Sequence, residues 1–286
     1  MGRNGGKNPN HRMCAVTGTV TQPKRSVVTA STRLFPIIGA PVAGVFSPPA
    51  FNAWFKAHDI DCRMVALEIP PGGLPAFLEL LRHSPSLIGC SVTYPHKQAA
   101  FEAVDRRTDR AARLGALNTI RREADGSLNG DATDGAAMCM AIADAGGHIA
   151  GATARILGAG GGAGKAIADA FCSAGIARLQ LVDLDAARQI QVVQTCRTHW
   201  PNVEIAPADA PADILVNATI LGKSTSDPRP FSDDAISAAR IVCDVITGDE
   251  TTPLVDAARR QGKTTITGAD MGAGQLPSQL AFLRLY

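Results

Sequence analysis

A chain of 286 residues with 28 Lys and Arg against 26 Asp and Glu carries a net charge of only +2. That balance gives no reason to expect nucleic acid or an anionic membrane as partner. With 45% hydrophobic and 19% charged residues it reads as a globular protein with a substantial core. It is long enough for two domains, though one large α/β domain also fits.

The six histidines form no HxH or HExxH pair, and the seven cysteines form no CxxC pair. No metal is expected, and Cys90 and Cys243, set in apolar runs, read as buried reduced thiols. Together with the lack of a secretion signal this points to the reducing cytoplasm. No apolar run approaches the roughly 18 residues of a membrane span. The expected partner is therefore a small molecule, with the chain itself a monomer or homodimer.

In chain order, the glycine-, asparagine- and lysine-containing start reads as a flexible extension over 1–29. Leu34 to Gly39 then reads as a strand, Pro49 to His58 as a helix and Arg63 to Glu68 as a strand. Leu74 to His83 is helical, Leu87 to Val92 a strand and Pro95 to Val104 a helix. This alternation implies a mostly parallel sheet covered on both faces. Ala136 to Ala145 reads as a helix closed by Gly146 and Gly147. Ala154 to Leu157 follows as a strand, then a glycine turn, a helix from about Lys165 to Ser173, and a strand from Arg178 to Val182. Ile214 to Asn217, Ile241 to Val245 and Thr264 to Thr267 complete a second parallel sheet, and a last helix from Leu276 to Leu285 packs back on the first half.

The glycine turn carries the first chemical expectation. Gly158, Ala159, Gly160, Gly161 and Gly162 lie between a strand and a helix, where backbone amides can meet a pyrophosphate at the positive end of the helix dipole. Scored as G-x-G-x-x-A, the pattern takes Gly158, Gly160 and Ala163, one residue longer than the usual form. Asp183 ends the next strand, where a carboxylate can accept hydrogen bonds from both ribose hydroxyls. A carboxylate there repels a 2′-phosphate, so NAD is expected rather than NADP, with Arg188 one helical turn on as the opposing feature.

The second expectation rests on three segments: Thr93-Tyr94-Pro95-His96-Lys97, Leu114 to Thr119, and Gly130 to Gly135. Pro95 suits a first helical position, which places Lys97 in the first turn, where the dipole disfavours an ammonium. A carboxylate such as Asp134 pulls the other way. The pair is a candidate for reversible proton transfer near neutral pH.

The order of these parts resembles the shikimate/quinate dehydrogenase family. The match continues through Val216-Asn217-Ala218-Thr219, Asp244-Val245, Thr252-Pro253-Leu254 and Gly268 to Gln275. The resemblance implies an α/β fold of two domains. One is an α/β substrate domain with a mostly parallel sheet, over 30–133 and 274–286; the other is a Rossmann-type dinucleotide domain over 134–273. It implies oxidation of a ring hydroxyl of shikimate or a related hydroxylated cyclic carboxylate by NAD(P). Lys97 and Asp134 would be catalytic. Ser47, Ser91, Thr93, Asn118, Thr247 and Gln275 would face substrate, and Asn217, Thr219 and Gly268 would join the glycine turn and Asp183 around the cofactor.

The departures matter as well. In Gly44-Val45-Phe46-Ser47-Pro48 only one of the family's two serines remains, Val45 standing in place of a hydroxyl donor. Ser91 and Ala132 stand where the family often has asparagine, and Thr247 where a tyrosine is common. These changes imply a shifted substrate pocket, with a quinate-type enzyme or a non-catalytic dinucleotide sensor as the alternatives. A methylenetetrahydrofolate dehydrogenase-type cleft also holds a lysine, but the Asn118-Thr119 and Thr133-Asp134-Gly135 segments fit it poorly.

Overall fold

The computed structural model describes residues 1–2, 28–45, 47–224, 226–248 and 250–285. Most of the extension expected over 1–29, with Cys14, lies outside them. Every helix and strand among the described residues lies within the compact unit Ser31–Tyr286.

The first part of that unit runs β1 (Arg33–Leu34), β2 (Ile37–Gly39), α1 (Ser47–Ala57), β3 (Cys62–Arg63), β4 (Ala66–Glu68), α2 (Leu74–His83) and β5 (Gly89–Val92). It continues with α3 (Lys97–Ala103), β6 (Arg106–Arg107), α4 (Asp109–Leu114), β7 (Thr119–Arg122) and β8 (Leu128–Asp131). The strand expected over Leu34 to Gly39 is broken after Leu34, where Pro36 brings no amide to a ladder. Six strands form a sheet in the order β4-β2-β5-β7-β8-β6. Three of its five strand pairings are parallel, as expected of a mostly parallel sheet, and only β7 runs antiparallel, to both β5 and β8. A hairpin turn at Asp125-Gly126 sets β8 antiparallel to β7; there Gly126 has φ +84° and Asp125 accepts from Ser127 N at 2.9 Å.

The second part runs α5 (Asp134–Asp144), β9 (Thr153–Leu157), α6 (Gly162–Ser173), β10 (Arg178–Val182), α7 (Ala186–His199), β11 (Glu204–Ile205) and β12 (Ile214–Asn217). Then come α8 (Asp233–Ala238), β13 (Ile241–Asp244), α9 (Pro253–Arg260), β14 (Thr264–Ile266) and α10 (Gly268–Leu283). Its sheet is parallel throughout, in the order β11-β10-β9-β12-β13-β14. That is the doubly wound order, with its reversal between β9 and β12. Strands buried on both faces explain the continuous apolar runs seen in the sequence. Ile214, Val216, Ile241 and Cys243 turn to the core shared with α5 and α6, while Leu215 and Val242 turn to the one under α8 and α9.

Two elements place the site. Helix α5 leads out of β8 and lies against α6. A Cβ on Gly135 would fall on the Ala166 carbonyl oxygen of α6, so only glycine permits this approach. Helix α10 crosses α5 with equal closeness, a Cβ on Gly274 meeting the Ala137 oxygen at 2.5 Å. It then packs on α1, where Leu280 and Leu283 join Phe35, Phe51 and Phe55 in one core. Among the described residues no helix is long and apolar enough to cross a membrane.

Candidate active site

Lys97 and Asp134 each open a helix whose first turn faces the other. Helix α3 begins at Lys97 itself, with His96 as its N-cap. Pro95 therefore stands before the helix, after a cis bond from Tyr94, and not at the expected first helical position. His96 is buried and its ring Nε2–H donates to the Ile69 carbonyl at 2.6 Å, which fixes the start of α3. Across from it, Lys97 Nζ donates to Asp134 Oδ2 at 2.6 Å.

The second oxygen of Asp134 is also engaged. Oδ1 accepts from Asn118 Nδ2 at 2.9 Å and from Gln275 Nε2 at 2.7 Å. Asn118, 2% exposed, accepts in turn from Thr133 N at 2.8 Å. Gln275 Oε1 accepts from Thr133 Oγ1 at 3.0 Å. Burial, the largest single influence, pushes the Asp134 carboxyl up. The ammonium charge of Lys97 and the hydrogen bonds from Lys97, Gln275 and Asn118 outweigh it and hold the group below its usual 3.8. At neutral pH Asp134 is an anion with no proton to give.

The pair stands where two cavities meet. One, of about 560 Å³, is lined by Ser47, Ser91, Thr93, Asn118, Thr247 and Gln275 among others, with Gly268 and Met271 at the side of the second sheet. The other, of about 400 Å³, joins Thr93 and Lys97 to Gly160, Gly162 and Lys165. The six residues expected to face substrate therefore line one space. Thr247 stands at its exposed edge and Ser91 at its buried floor, 3% exposed.

The glycine turn differs in register from the expected one. Ala159 N donates to the Val182 carbonyl, Gly160 N to Asp183 Oδ2 at 2.9 Å, and Gly161 N to the Gly158 carbonyl. These amides are spent. The first bond of α6 runs from Lys165 N to the Gly161 carbonyl, so the open amides are those of Gly162, Ala163 and Gly164. The close-packing position is Gly164 and not Ala163, because a Cβ at 164 would fall on the Gly158 oxygen.

Asp183 is tied down too: Oδ2 takes the Gly160 amide, and Oδ1 accepts from Asp185 N at 3.0 Å. Beside it, Arg188 packs on Gly160, and Lys165 Nζ donates to Gln191 Oε1 at 2.7 Å. Burial first and then the Arg188 charge hold Lys165 below its usual 10.5, with Asp183 opposing. Asn217 is fully buried, its amide spent on Leu221 O and Asp244, and its oxygen accepts from Thr219. Its side chain shapes the loop after β12. Gly268 has no room for a side chain, since a Cβ would meet the Ile246 oxygen at 2.5 Å.

The described residues hold no cluster of His, Cys, Asp and Glu that could bind a metal ion. Sequence reasoning did not single out Lys165, Gly164 or Gln279, all of which border these cavities or the turn. The signal for the first two lay in the run after Gly162, where a first helical turn follows the glycines.

The family model for the shikimate dehydrogenase substrate binding domain matches residues 37–120. Over 249 residues the chain is 37% identical to the shikimate dehydrogenase (NADP(+)) of Rubrobacter xylanophilus, covering 84% of this chain and 87% of that protein. The chain belongs to the shikimate dehydrogenase family. Members of this family are oxidoreductases acting on a CH–OH group. Among solved structures, the shikimate 5-dehydrogenase of Thermus thermophilus in complex with NADP(H) and shikimate superposes with a TM-score of 0.77 at 26% identity. That match covers 89% of this chain and 94% of the Thermus chain. The ligand-free 5-ketofructose reductase of Gluconobacter gives 0.80 at 25% identity, covering 88% and 93%.

These relatives correct one expectation. NAD was favoured because Asp183 ends β10, yet the Rubrobacter relative is named for NADP(+) and the Thermus protein holds NADP(H). The physical reason lies in the turn. Both oxygens of Asp183 serve backbone amides, and two cations, Lys165 and Arg188, stand beside it.

Proposed function

We propose that the protein transfers a hydride between NADP(H) and the ring carbon bearing a hydroxyl of shikimate or a related hydroxylated cyclic carboxylate. The observation that carries the reading is the 2.6 Å contact of Lys97 and Asp134 at the meeting point of the two cavities. In the reducing direction hydride passes to the carbonyl carbon and Lys97 Nζ gives a proton to its oxygen. In the oxidising direction the hydroxyl proton goes to the amine as hydride leaves. Asp134, ionised at working pH, holds the lysine in position, and is itself kept in place by Asn118 and Gln275. Positioning of this kind contributes about 7 kcal/mol or more to rate acceleration.

Ser47, Ser91, Thr93 and Thr247 would bind the remaining polar groups of the substrate from the larger cavity. The amides of Gly162, Ala163 and Gly164 would take the pyrophosphate at the start of α6. Residues 30–133 with 274–286 would act as the substrate domain and 134–273 as the dinucleotide domain. Six free cysteines among the described residues, five of them buried, support a cytoplasmic setting.

Absorbance at 340 nm, followed with shikimate, quinate and related hydroxy acids and each dinucleotide, tests the reading. NADP-linked turnover of a cyclic hydroxy acid is expected, and no turnover of any of them would sink it. The double variant Lys165→Ala with Arg188→Ala should raise the NADP KM by about tenfold or more, through the loss of charge-assisted contacts to phosphate. The KM for NAD should barely move. Equal effects on the two cofactors would place the 2′-phosphate elsewhere.

A further inference from the structure

Arg113 lies in the last turn of α4, in the first part of the fold, where that helix packs on α6 of the second. Its Nε donates to Asp169 Oδ1 at 2.7 Å and its Nη2 to Asp169 Oδ2 at 2.9 Å. Trp200, just after α7, donates its indole Nε1–H to the same Oδ1 at 2.9 Å. The Arg113 guanidinium also lies over the Trp200 ring, 5.0 Å from its centroid. Asp169 is 5% exposed, and the other buried residues of α6 are small or apolar. A carboxylate in that company costs desolvation free energy, and apolar residues of similar volume often give equal or greater stability. What a fork of two charged hydrogen bonds adds over apolar packing is a fixed distance and orientation.

The same short helix is fixed within its own half. Arg110 grips both oxygens of Asp131, Nε meeting Oδ1 at 2.6 Å, and Thr108 Oγ1 donates to Oδ1 at 2.5 Å. Asp131 ends β8, three residues before Asp134. On the far side, Asp169 stands one turn beyond Lys165, on the helix whose open amides are those of Gly162 to Gly164. Helix α4 is thus a strut between the strand that delivers Asp134 and the helix that begins at the glycine turn. Leu114, next to Arg113, and Lys165 both line the smaller cavity.

On the reading that hydride passes between NADP(H) and a substrate beside Lys97, we infer that Arg113 is a positioning residue. Its fork on Asp169 holds the start of α6, and the dinucleotide bound there, at a fixed distance from the Lys97–Asp134 pair. Neither Arg113 nor Asp169 lines the two cavities that meet at that pair, so the effect passes through the helices alone.

Stopped-flow single turnovers of the full chain with NADP test this, using shikimate or whichever cyclic hydroxy acid the screen above shows to turn over. Arg113→Met should lower the rate by about ten- to a hundredfold, the scale of a misplacement of about 1 Å. The Kd of NADP without substrate should stay close to wild type, because the open amides and Lys165 move with α6. Melting curves show whether each variant folds. Arg113→Lys, which keeps a charge against Asp169 but loses the fork, decides by the same split where the Met variant does not fold. An unchanged rate in a folded variant would overturn the inference. A loss of NADP affinity equal to the loss of rate would overturn it too, since it would put Arg113 in the cofactor site.

Hydrogen exchange read by mass spectrometry, with NADP and no substrate, gives a second readout that needs no turnover. In wild type NADP should slow exchange both at the glycine turn and over Leu114 to Asn118; in the variant only the glycine turn should respond. Protection that fails to reach Leu114 to Asn118 in wild type, or reaches it in both proteins, contradicts the strut. Wild type that turns over none of the acids yet shows the expected exchange would count against the redox reading alone.

Discussion

Lys97→Ala is expected to lower kcat by about 10²- to 10⁴-fold, the range that a positioned general acid or base supplies. Dinucleotide binding should be nearly unchanged, because the open amides at Gly162 to Gly164 and the cations Lys165 and Arg188 belong to other elements. Deleting the ammonium removes one of three donors to Asp134; Asn118 and Gln275 remain, so the carboxylate keeps its place. Lys97→Arg separates proton transfer from electrostatics. Arginine keeps a charge to pair with Asp134 but does not deprotonate at working pH. It should therefore fold as wild type and be almost as slow as the alanine variant. Steady-state kinetics with saturating cofactor, beside a cofactor titration by fluorescence, read both quantities. A fast arginine variant would remove proton exchange from the role of Lys97.

Much of this site was legible in the sequence because it stands at element boundaries with strong local signals. Lys97 and Asp134 begin helices and Asn118 precedes a strand, so their segments could be placed before any contact was known. Helix α2 falls on the expected residues, Leu74–His83, because its buried Leu74, Phe77, Leu78 and Leu81 keep helical spacing. The parallel second sheet was readable from apolar runs that have no polar face. What escaped was weakly patterned. Helix α7 buries only Val192 and Cys196, and its start is marked mainly by the side chain of Asp185, which caps Ala187 N at 2.9 Å.

Helix α10 begins eight residues before the position expected. Gly268, Gly272, Gly274 and Pro277 argue against a helix on propensity alone. The capping box between Thr267 and Asp270 and the packing on α5 override that preference. This is why Gln279 was missed while Gln275, inside a motif, was found. The register of the glycine turn was hidden for a different reason. A run of five glycines around Ala159 and Ala163 looks alike at every offset, and only hydrogen bonding separates spent amides from open ones. Asp183 looks like a free carboxylate for the same cause: the sequence shows its position at a strand end but not that two amides already hold it.

Gly135→Ala should be among the most damaging small substitutions in the chain. The added methyl group would fall on the Ala166 carbonyl and come within 2.7 Å of the Ala170 Cβ, so the backbones of α5 and α6 must separate. Overpacking of this kind costs about 1–3 kcal/mol, and more where the obstacle is backbone. At the upper end that corresponds to a fall in Tm of about 5–10 °C for a chain of this size. The displacement also reaches function, because the residue before Gly135 is Asp134 and the opposite helix carries the open amides of Gly162 to Gly164. A fall in kcat together with a rise in cofactor KM is expected in the surviving folded enzyme. Gly272→Ala is the control: a Cβ there meets nothing within 4 Å, and alanine favours a helix by up to about 1 kcal/mol over glycine. Its Tm should stay level or rise. If calorimetry gave both variants the same Tm, close packing of α5 on α6 would not be what fixes Asp134 in place.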